Sequence, residues 1–341
     1  EIEPKVDALV KEYTSLDIFS GVVLIAEKGK PIYHKAFGLA DREKNIPNTL
    51  ETKFDIGSMN KTFTKVVILQ LVEEGKLKLS DKLDKILPEF SDKRFSKITI
   101  EHLINHSSGF GDYYMSPGFF DLPVSEKDIE SLVKRIHEMP LNFPAGTERE
   151  YSNSGYILLG AIIEEITGES YHKNVKDRIV TPLELGDTYL ENKYEVPNRA
   201  IGYFKSIKGE LMDNNGFVEV PNPDGGFQST ALDVMKFYRE FHYGETLLKQ
   251  KTKMKDEFFR MTQPHYNTGG AIPHAGGFDG ANSVNYEILR DEITIVVLAN
   301  MNEPVAEQLG AGILDIVRGK EPQKPSLPAG ENVYKAYREN G

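Results

Sequence analysis

Two apolar, β-branched runs near opposite ends of this 341-residue chain constrain its fold more than any other feature. Residues 21–26 read G-V-V-L-I-A, and residues 293–299 read I-T-I-V-V-L-A. Each run has a second strand-like segment beside it, joined by a turn at Gly29 in the first case and at Arg290 and Asp291 in the second. This pattern predicts two β-hairpins, one near each terminus.

Helical periodicity fills most of the remaining chain. Amphipathic helices are predicted over residues 4–14 and 304–318, and residues 76–200 are predicted to be mostly helical with long loops. The economical arrangement is an α+β fold with a single antiparallel sheet built from both ends of the chain and flanked by the terminal helices. A mainly helical domain is then inserted between the hairpins.

The chain is long for one core, so one composite domain or two domains are expected. In this interpretation residues 1–57 and 225–318 form a discontinuous sheet domain, and residues 58–224 form the mainly helical domain. Residues 319–341 begin as a Pro-rich linker and end in a helix-like segment, which leaves open a truncated C-terminal segment.

Composition and charge bear on several classes of protein. The net charge is −11 and no basic cluster stands out, which argues against nucleic acid and anionic membrane surfaces as partners. No apolar run approaches the length of a transmembrane helix. The chain has no cysteine, so a disulfide, a thiolate nucleophile and a cysteine-ligated zinc are impossible. The absence of cysteine fits an extracytoplasmic protein whose signal peptide is not in this sequence, although many cytoplasmic proteins share it.

The segment F-D-I-G-S-M-N-K-T-F-T-K, residues 54–65, joins a polar turn to an apolar helical run. Ser58 and Lys61 are three residues apart, so on a helix the hydroxyl and the amine share a face. A desolvated lysine can take the proton of a serine and make it a nucleophile. The same S-x-x-K spacing occurs at residues 131–134 and 170–173, but those pairs lie in charged surroundings.

Tyr151-x-Asn153 is the second candidate site element. A tyrosine hydroxyl can transfer a proton when a neighbouring cation such as Lys61 lowers its pKa. Asn153 offers both a donor and an acceptor, and could hold a substrate amide and the lysine together. The structural alternative is that Ser152 or Asn153 caps the helix predicted over residues 155–166.

Two histidine segments have competing interpretations. His274-Ala275-Gly276-Gly277 precedes the C-terminal hairpin, and its adjacent glycines could bring a backbone N–H close to a substrate oxyanion. The alternative is a plain Gly-rich loop with a surface histidine. His102 and His106 have the i, i+4 spacing of a metal clamp, but no third ligand is evident, which favours capping and packing roles.

The ordered set S-x-x-K, Y-x-N and H-x-G resembles the serine β-lactamase and penicillin-binding-protein superfamily. The tyrosine in the second motif resembles the one found at this place in the class C β-lactamase branch. The relatives in that branch are D-alanyl carboxypeptidases, family VIII esterases and D-aminopeptidases. Further segments resemble family sequences, among them L-I-N-H-S-S-G-F and P-A-G-T-E-R-E-Y-S-N-S-G-Y, and the likeness covers about residues 15–318. The resemblance implies the β-lactamase/transpeptidase-like fold, with the active site between the two domains.

The resemblance also implies a serine hydrolase that forms an acyl-enzyme with an ester or amide and needs no metal or organic cofactor. Ser58 would be the nucleophile, and Lys61 and Tyr151 would share the general-base and general-acid work. The backbone N–H groups of Ser58 and Gly277 would form the oxyanion hole, and Asn153 would orient the substrate. The substrate would be a small molecule or a peptide. The oligomeric state stays open.

The third motif departs from the Lys-Thr-Gly of the lactamases, which helps hold a substrate carboxylate. His274 and Gly276 are the corresponding candidate substrate-binding residues, but a histidine is mostly neutral near pH 7 and Ala275 has no hydroxyl. We therefore expect weak use of β-lactams and better use of esters or amides, with pocket walls from residues 110–123 and 200–227. The alternative from another class is a catalytically inactive protein that binds peptidoglycan or peptides on the same fold.

Overall fold

A computed structural model describes residues 1–206, 208–216 and 220–325 of the chain. Its main feature is a five-stranded antiparallel sheet with the order β2-β1-β11-β10-β9. The strands in chain order are β1 (Gly21–Glu27), β2 (Lys30–Phe37), β3 (Leu39–Asp41), β4 (Ile46–Pro47), β5 (Phe54–Asp55), β6 (Tyr203–Lys205), β7 (Leu211–Asp213), β8 (Gln228–Ser229), β9 (Ala271–Phe278), β10 (Ala281–Ile288) and β11 (Ile293–Ala299).

Helices surround this sheet and fill the middle of the chain. They are α1 (Glu3–Ser15), α2 (Asn60–Glu73), α3 (Leu83–Ile86), α4 (Ile100–Ile104), α5 (Ile129–Glu138), α6 (Asn153–Thr167), α7 (Tyr171–Val175), α8 (Ala231–Tyr243), α9 (Gln250–Lys253), α10 (Glu257–Thr262), α11 (His265–Thr268) and α12 (Val305–Val317). Among the described residues, none of these helices is long and apolar enough to cross a membrane.

The centre of the sheet joins the two ends of the chain. β1 pairs with β11 in antiparallel register, with Gly21 opposite Ala299 and Ile25 opposite Ile295. Strands buried on both faces need apolar side chains on both, which explains the continuous β-branched runs. Val23 and Ile25 pack in the apolar layer that includes α1 and α12, and Val22 and Leu24 pack towards the helical region. The predicted α+β fold, with its sheet from both ends of the chain, is confirmed.

Helix α2 lies in the middle of the helical region. Its side chains are buried nearly all round, including Phe63, Val67 and Leu71. Phe63 stacks on Phe237 of α8 with the ring centroids 3.7 Å apart, so α2 is fixed against the layer that covers the sheet. The first residues of α2 therefore have little freedom to move.

The H-A-G-G segment and the C-terminal residues 319–341 each had a predicted structure. The H-A-G-G segment lies within β9, the edge strand of the sheet, so it forms neither a plain loop nor a connection before a lone hairpin. Residues 319–325 have no regular structure, and the helix predicted beyond residue 330 lies outside the described residues. The proposed domain boundaries stay a prediction.

Candidate active site

Ser58 lies in a single 3-10 turn, Gly57–Met59, that leads directly into α2. Asp55 stabilises the turn, because its carboxylate accepts the backbone N–H of Gly57 at 2.7 Å. Gly57 has φ +52°, which favours glycine, and a side chain there would approach the backbone N of Gly277 to 2.7 Å. Burial raises the pKa of Asp55 to about 6, and the Gly57 N–H opposes that rise. The turn therefore fixes Ser58 between α2 and the edge of the sheet.

The structure brings Ser58, Lys61 and Tyr151 together. The Lys61 Nζ lies 3.0 Å from the Ser58 Oγ, and the Tyr151 hydroxyl donates to the same Oγ at 2.6 Å. The Lys61 Nζ also donates to the Asn153 Oδ1 at 2.7 Å and to the Asp224 backbone carbonyl at 2.7 Å. Lys61 is buried, with 7% of its surface exposed, so these contacts replace water around its amine.

The Y-x-N segment combines a helix cap with contacts to Ser58 and Lys61, because different residues make them. Ser152 caps α6 by accepting the Gly155 N–H at 3.2 Å, while its two neighbours face Ser58 and Lys61. The Ser152 backbone N–H donates to the His106 Nδ1 at 3.1 Å, and the His106 ring centroid lies 4.7 Å from that of Tyr151. Burial lowers the pKa of His106 to about 4, so a neutral imidazole supports the tyrosine ring.

His102 serves as a helix cap. Its Nδ1 accepts the Thr99 N–H at 3.2 Å, and Thr99 accepts the His102 N–H, so the two residues form a reciprocal cap on α4. His102 and His106 therefore have the capping and packing contacts that the sequence favours. Within the described ranges, no group of three or more acidic, histidine or cysteine residues could hold a metal ion.

The other two S-x-x-K pairs have structural contacts. The Ser131 N–H donates to Asp128 at the start of α5, and Lys134 pairs with Glu130 on an exposed helix face. Ser170 caps α7 by accepting the Lys173 N–H. Neither pair has the buried lysine that accompanies Ser58.

The glycines of β9 allow the strand to lie directly against Ser58. A side chain at Gly276 would approach the Ser58 backbone N to 2.5 Å and the Ile56 carbonyl oxygen to 2.4 Å, distances that real side chains do not adopt. Gly277 and Ser58 both line the same pocket. Two backbone segments thus converge where the oxygen of a substrate carbonyl attacked by Ser58 would lie.

His274 lies elsewhere. Its Nε2 is 2.9 Å from the Nε2 of His242 on α8, and its ring stacks on Tyr238 at 4.2 Å between centroids. Burial, followed by the neighbouring His242, lowers the pKa of His274 well below its usual value, so its imidazole is neutral. His274 is not among the described residues that line the pocket beside Ser58. The structure therefore brings the glycines of the third motif to the site without the histidine.

Two further carboxylates, the buried Asp224 and the half-buried Asp112, lie beside the cluster, and sequence reasoning missed both. Asp112 accepts the Asn153 Nδ2–H at 2.6 Å, and Asp224 accepts the Tyr113 hydroxyl at 2.6 Å. Burial raises the pKa of Asp224 to about 6 despite the opposing charge of Lys61. In the sequence, Asp224 belongs to a P-D-G-G segment that is typical of a turn, and only the packing of this segment on α2 reveals its place.

A pocket of about 410 Å³ opens beside Ser58, which is within the usual size of a small-molecule site. The predicted wall segments 110–123 and 200–227 both contribute to it. The first segment contributes the aromatic residues Tyr113, Tyr114, Phe119 and Phe120, and the second contributes Val220, Asn222, Asp224, Gly225 and Gly226.

The fold, the serine–lysine–tyrosine cluster with its buried lysine, and known relatives together define this chain as a serine hydrolase. Residues 6–318 match the sequence model of the Beta-lactamase family, so the chain belongs to the Beta-lactamase family. It is 28% identical over 317 residues to Penicillin-binding protein 4* of Bacillus subtilis (strain 168), covering 84% of this chain and 69% of that protein.

Two further likenesses are one of sequence and one of structure. Teichoic acid D-alanine hydrolase of Staphylococcus aureus is 34% identical over 179 residues, which are 52% of this chain and 43% of that protein. The octameric penicillin-binding protein homologue from Pyrococcus abyssi has a TM-score of 0.82 at 24% identity, covering 94% of this chain and 78% of that one. The second likeness shows the fold alone.

Proposed function

We propose that Ser58 is the nucleophile of an acyl-enzyme mechanism that hydrolyses an ester or an amide. The observation that carries this proposal is that the Ser58 Oγ lies within hydrogen-bond distance of both the Lys61 Nζ and the Tyr151 hydroxyl. A nucleophile with a proton acceptor in direct contact is the arrangement that such catalysis requires. The backbone N–H groups of Ser58 and Gly277 bind the oxyanion, and Asn153 orients the substrate.

The contacts of Lys61 are compatible with two proton routes. A neutral amine has two N–H bonds and one lone pair. The carbonyl oxygens of Asn153 and Asp224 can only accept, so the amine uses both of its N–H groups on them. The lone pair then faces Ser58 and can take its proton. A charged Lys61 donates to all three neighbours, and the Ser58 proton then passes to an ionised Tyr151. We assign the general-base role to the pair.

The chemistry proceeds in two half-reactions. The Ser58 Oγ forms a bond to the carbonyl carbon while its proton moves to the Lys61–Tyr151 pair, and the oxyanion forms beside the β9 edge. Collapse of this intermediate breaks the bond to the leaving group, which takes the proton from the pair. Water then attacks the acyl carbon while one of its protons moves to the pair. The bond to the Ser58 Oγ breaks and the Oγ takes that proton, which releases the acid and restores the Ser58 hydroxyl.

The third motif sets our expectation for the substrate. Lactamases use a lysine and a hydroxyl there for a substrate carboxylate, whereas His274 is neutral, faces His242 and is followed by Ala275. Esters and amides without a critical carboxylate are therefore expected to react better than β-lactams. Comparing kcat/KM for nitrocefin, a p-nitrophenyl ester and a D-amino-acid amide tests this, and a nitrocefin value far above the others contradicts it.

A fluorophosphonate probe tests the nucleophile itself. Intact-protein and peptide mass spectrometry should find one adduct, on Ser58, and Ser58→Ala should abolish it. Ser131→Ala is a matched control, because Ser131 has the same S-x-x-K spacing on an exposed helix, and it should label normally. A folded protein that turns over no substrate and forms no adduct on Ser58 would instead support the binding-only alternative.

We further infer that the protein works outside the cytoplasm. Support comes from the cysteine-free sequence and from relatives named for penicillin binding and for teichoic acid hydrolysis. Fractionation of cells that express the full-length gene tests the location, and recovery in the cytoplasmic fraction alone would contradict it.

A further inference from the structure

Asn153, the first residue of α6, joins the catalytic cluster to the pocket. Its Oδ1 accepts the Lys61 Nζ–H at 2.7 Å, and Asn153 is among the residues that line the pocket beside Ser58. The oxygen and nitrogen ends of an amide are nearly equal in shape, so packing alone does not determine which end faces a neighbour. Turning this amide over would present its Nδ2 to Lys61 and remove an acceptor from the lysine. The orientation of the Asn153 amide therefore determines how Lys61 is held.

Asp112 makes the contact that distinguishes the two orientations. Its Oδ2 accepts the Asn153 Nδ2–H at 2.6 Å, and its Oδ1 accepts the Tyr114 backbone N–H at 3.2 Å. Burial raises the pKa of Asp112, but both of these N–H groups and the charge of Lys61 oppose the rise and favour the ionised form. An ionised carboxylate can only accept hydrogen bonds. It therefore holds the nitrogen of the amide on its own side and leaves the oxygen for Lys61.

The same orientation leaves one N–H of Asn153 for the substrate. The Nδ2 carries two N–H bonds, and Asp112 is its single hydrogen-bond acceptor among the residues that the structure describes. The second N–H remains for the substrate contact proposed above. The carboxylate of Asp112, the amide of Asn153 and the amine of Lys61 thus form one continuous series of contacts that ends at the Ser58 Oγ.

We propose that Asp112 is a positioning residue, which fixes the Asn153 amide with its oxygen towards Lys61. Through this amide it sets the contacts of the lysine in the pair that takes the Ser58 proton. This inference rests on the proposed function. Asp112 makes no hydrogen bond with Lys61 itself within the described ranges, so its contact with the lysine passes through Asn153.

Asp112 also caps a 3-10 turn over Tyr113–Met115, and this structural role has to be separated from the proposed one. Asparagine caps such turns as well as aspartate does, because one side-chain oxygen is enough. Asp112→Asn therefore keeps the bond to the Tyr114 N–H and places an N–H, in place of the Oδ2, opposite Asn153. The Asn153 amide then turns its oxygen to this new donor, and Lys61 loses that acceptor.

The test measures the rate at which a fluorophosphonate probe labels Ser58, together with kcat/KM for p-nitrophenyl acetate. Neither reagent has an amide for Asn153 to bind, so both rates report how Lys61 and Ser58 are arranged. Asp112→Asn should lower both by about ten- to a hundred-fold, the effect of losing one charge-assisted hydrogen bond. Asp92→Asn is the matched control, because Asp92 caps another 3-10 turn by the same backbone contact, and it should change neither rate.

A reciprocal exchange gives the result that a capping role alone does not predict. Asn153→Asp by itself places two carboxylates at hydrogen-bond distance, so it should also lower the labelling rate. Adding Asn153→Asp to Asp112→Asn restores one donor opposite one acceptor, and the carboxylate now at position 153 still accepts from Lys61. This double variant should label at least about ten-fold faster than Asp112→Asn. A lost cap at position 112 would not be rescued by a change at position 153.

An Asp112→Asn variant that labels at the wild-type rate overturns the inference, as does a folded double variant that labels no faster than Asp112→Asn. Both results leave the acyl-enzyme proposal standing, because Ser58 still forms the adduct. Thermal unfolding followed by circular dichroism reports whether each variant is folded. If the double variant alone is unfolded, the Asp112→Asn rate decides, whereas an unfolded Asp112→Asn assigns the residue a structural role and overturns the inference. A wild-type protein that forms no adduct on Ser58 removes both proposals.

Discussion

Gly276→Ala is the substitution that most directly tests how the β9 edge is used. The added methyl group would lie 2.4 Å from the Ile56 carbonyl oxygen and 2.5 Å from the Ser58 backbone N, and both of these are backbone atoms. Because real side chains do not come closer than 3.0 Å, β9 and the Ser58 turn must separate by roughly 0.6 Å or more. No side-chain rotation can relieve this contact.

The separation acts on the oxyanion hole first. It moves the Gly277 N–H away from the Ser58 N–H, and loss of one oxyanion donor typically lowers kcat by about 100- to 1,000-fold, or about 3–4 kcal/mol. Overpacking of this kind costs about 1–3 kcal/mol of folding stability, so the variant should remain mostly folded. The variant should therefore lose most of its kcat while most of its molecules stay folded.

The assay combines steady-state hydrolysis of a p-nitrophenyl ester with thermal unfolding followed by circular dichroism. Gly186→Ala is the matched control, because no atom lies within 4 Å of the added methyl group, and it should leave both measurements near the wild type. A folded Gly276→Ala variant with kcat within a few-fold of the wild-type value would refute the assignment of β9 to the oxyanion hole.

The remaining predictions concern proton transfer and stability. Tyr151→Phe removes the hydroxyl that contacts Ser58 and should lower kcat/KM about 100- to 10,000-fold with little change in Tm, since Tyr151 is 52% exposed. Burial raises the pKa of Glu287 from 4.5 to about 7, so the folded state retains a proton that the unfolded state has lost, and stability falls as pH rises through this window. Urea titrations at pH 4.5 and 7.5 measure how far the free energy of unfolding declines, and Glu287→Gln should abolish about 3 kcal/mol of the wild-type decline. A variant with the same decline as the wild type contradicts the burial argument. Ser152→Ala removes the α6 cap and should cost about 1 kcal/mol in the same urea titration at pH 7.5.

Local pattern was sufficient to predict the sheet and the start of α2. The runs at residues 21–26 and 293–299 must be strands because their β-branched side chains suit burial on both faces of a sheet. Ser58 could be singled out from Ser131 and Ser170 because only its helix is apolar nearly all round. Such properties belong to consecutive residues and are visible without the fold.

The rest of the site depends on contacts between distant segments. The Y-x-N motif predicted the contact of Asn153 with Lys61 across 92 residues, whereas no local pattern marks the contact of Asp224 with Lys61 across 163 residues. His274 shows the reverse case, since its motif suggests a substrate contact while the pleat of β9 and the neighbouring His242 give it a protein partner.

The pairing of β1 with β11 has a consequence for how the protein is made. Gly21 cannot meet Ala299 until nearly the whole described chain has left the ribosome, so the central strands of the sheet wait while the helical middle is synthesised. Until then, the apolar run at residues 21–26 has only β2 to cover its edge. Pairing across so long a loop also slows folding, which makes this early hairpin the part of the nascent chain most in need of protection from aggregation.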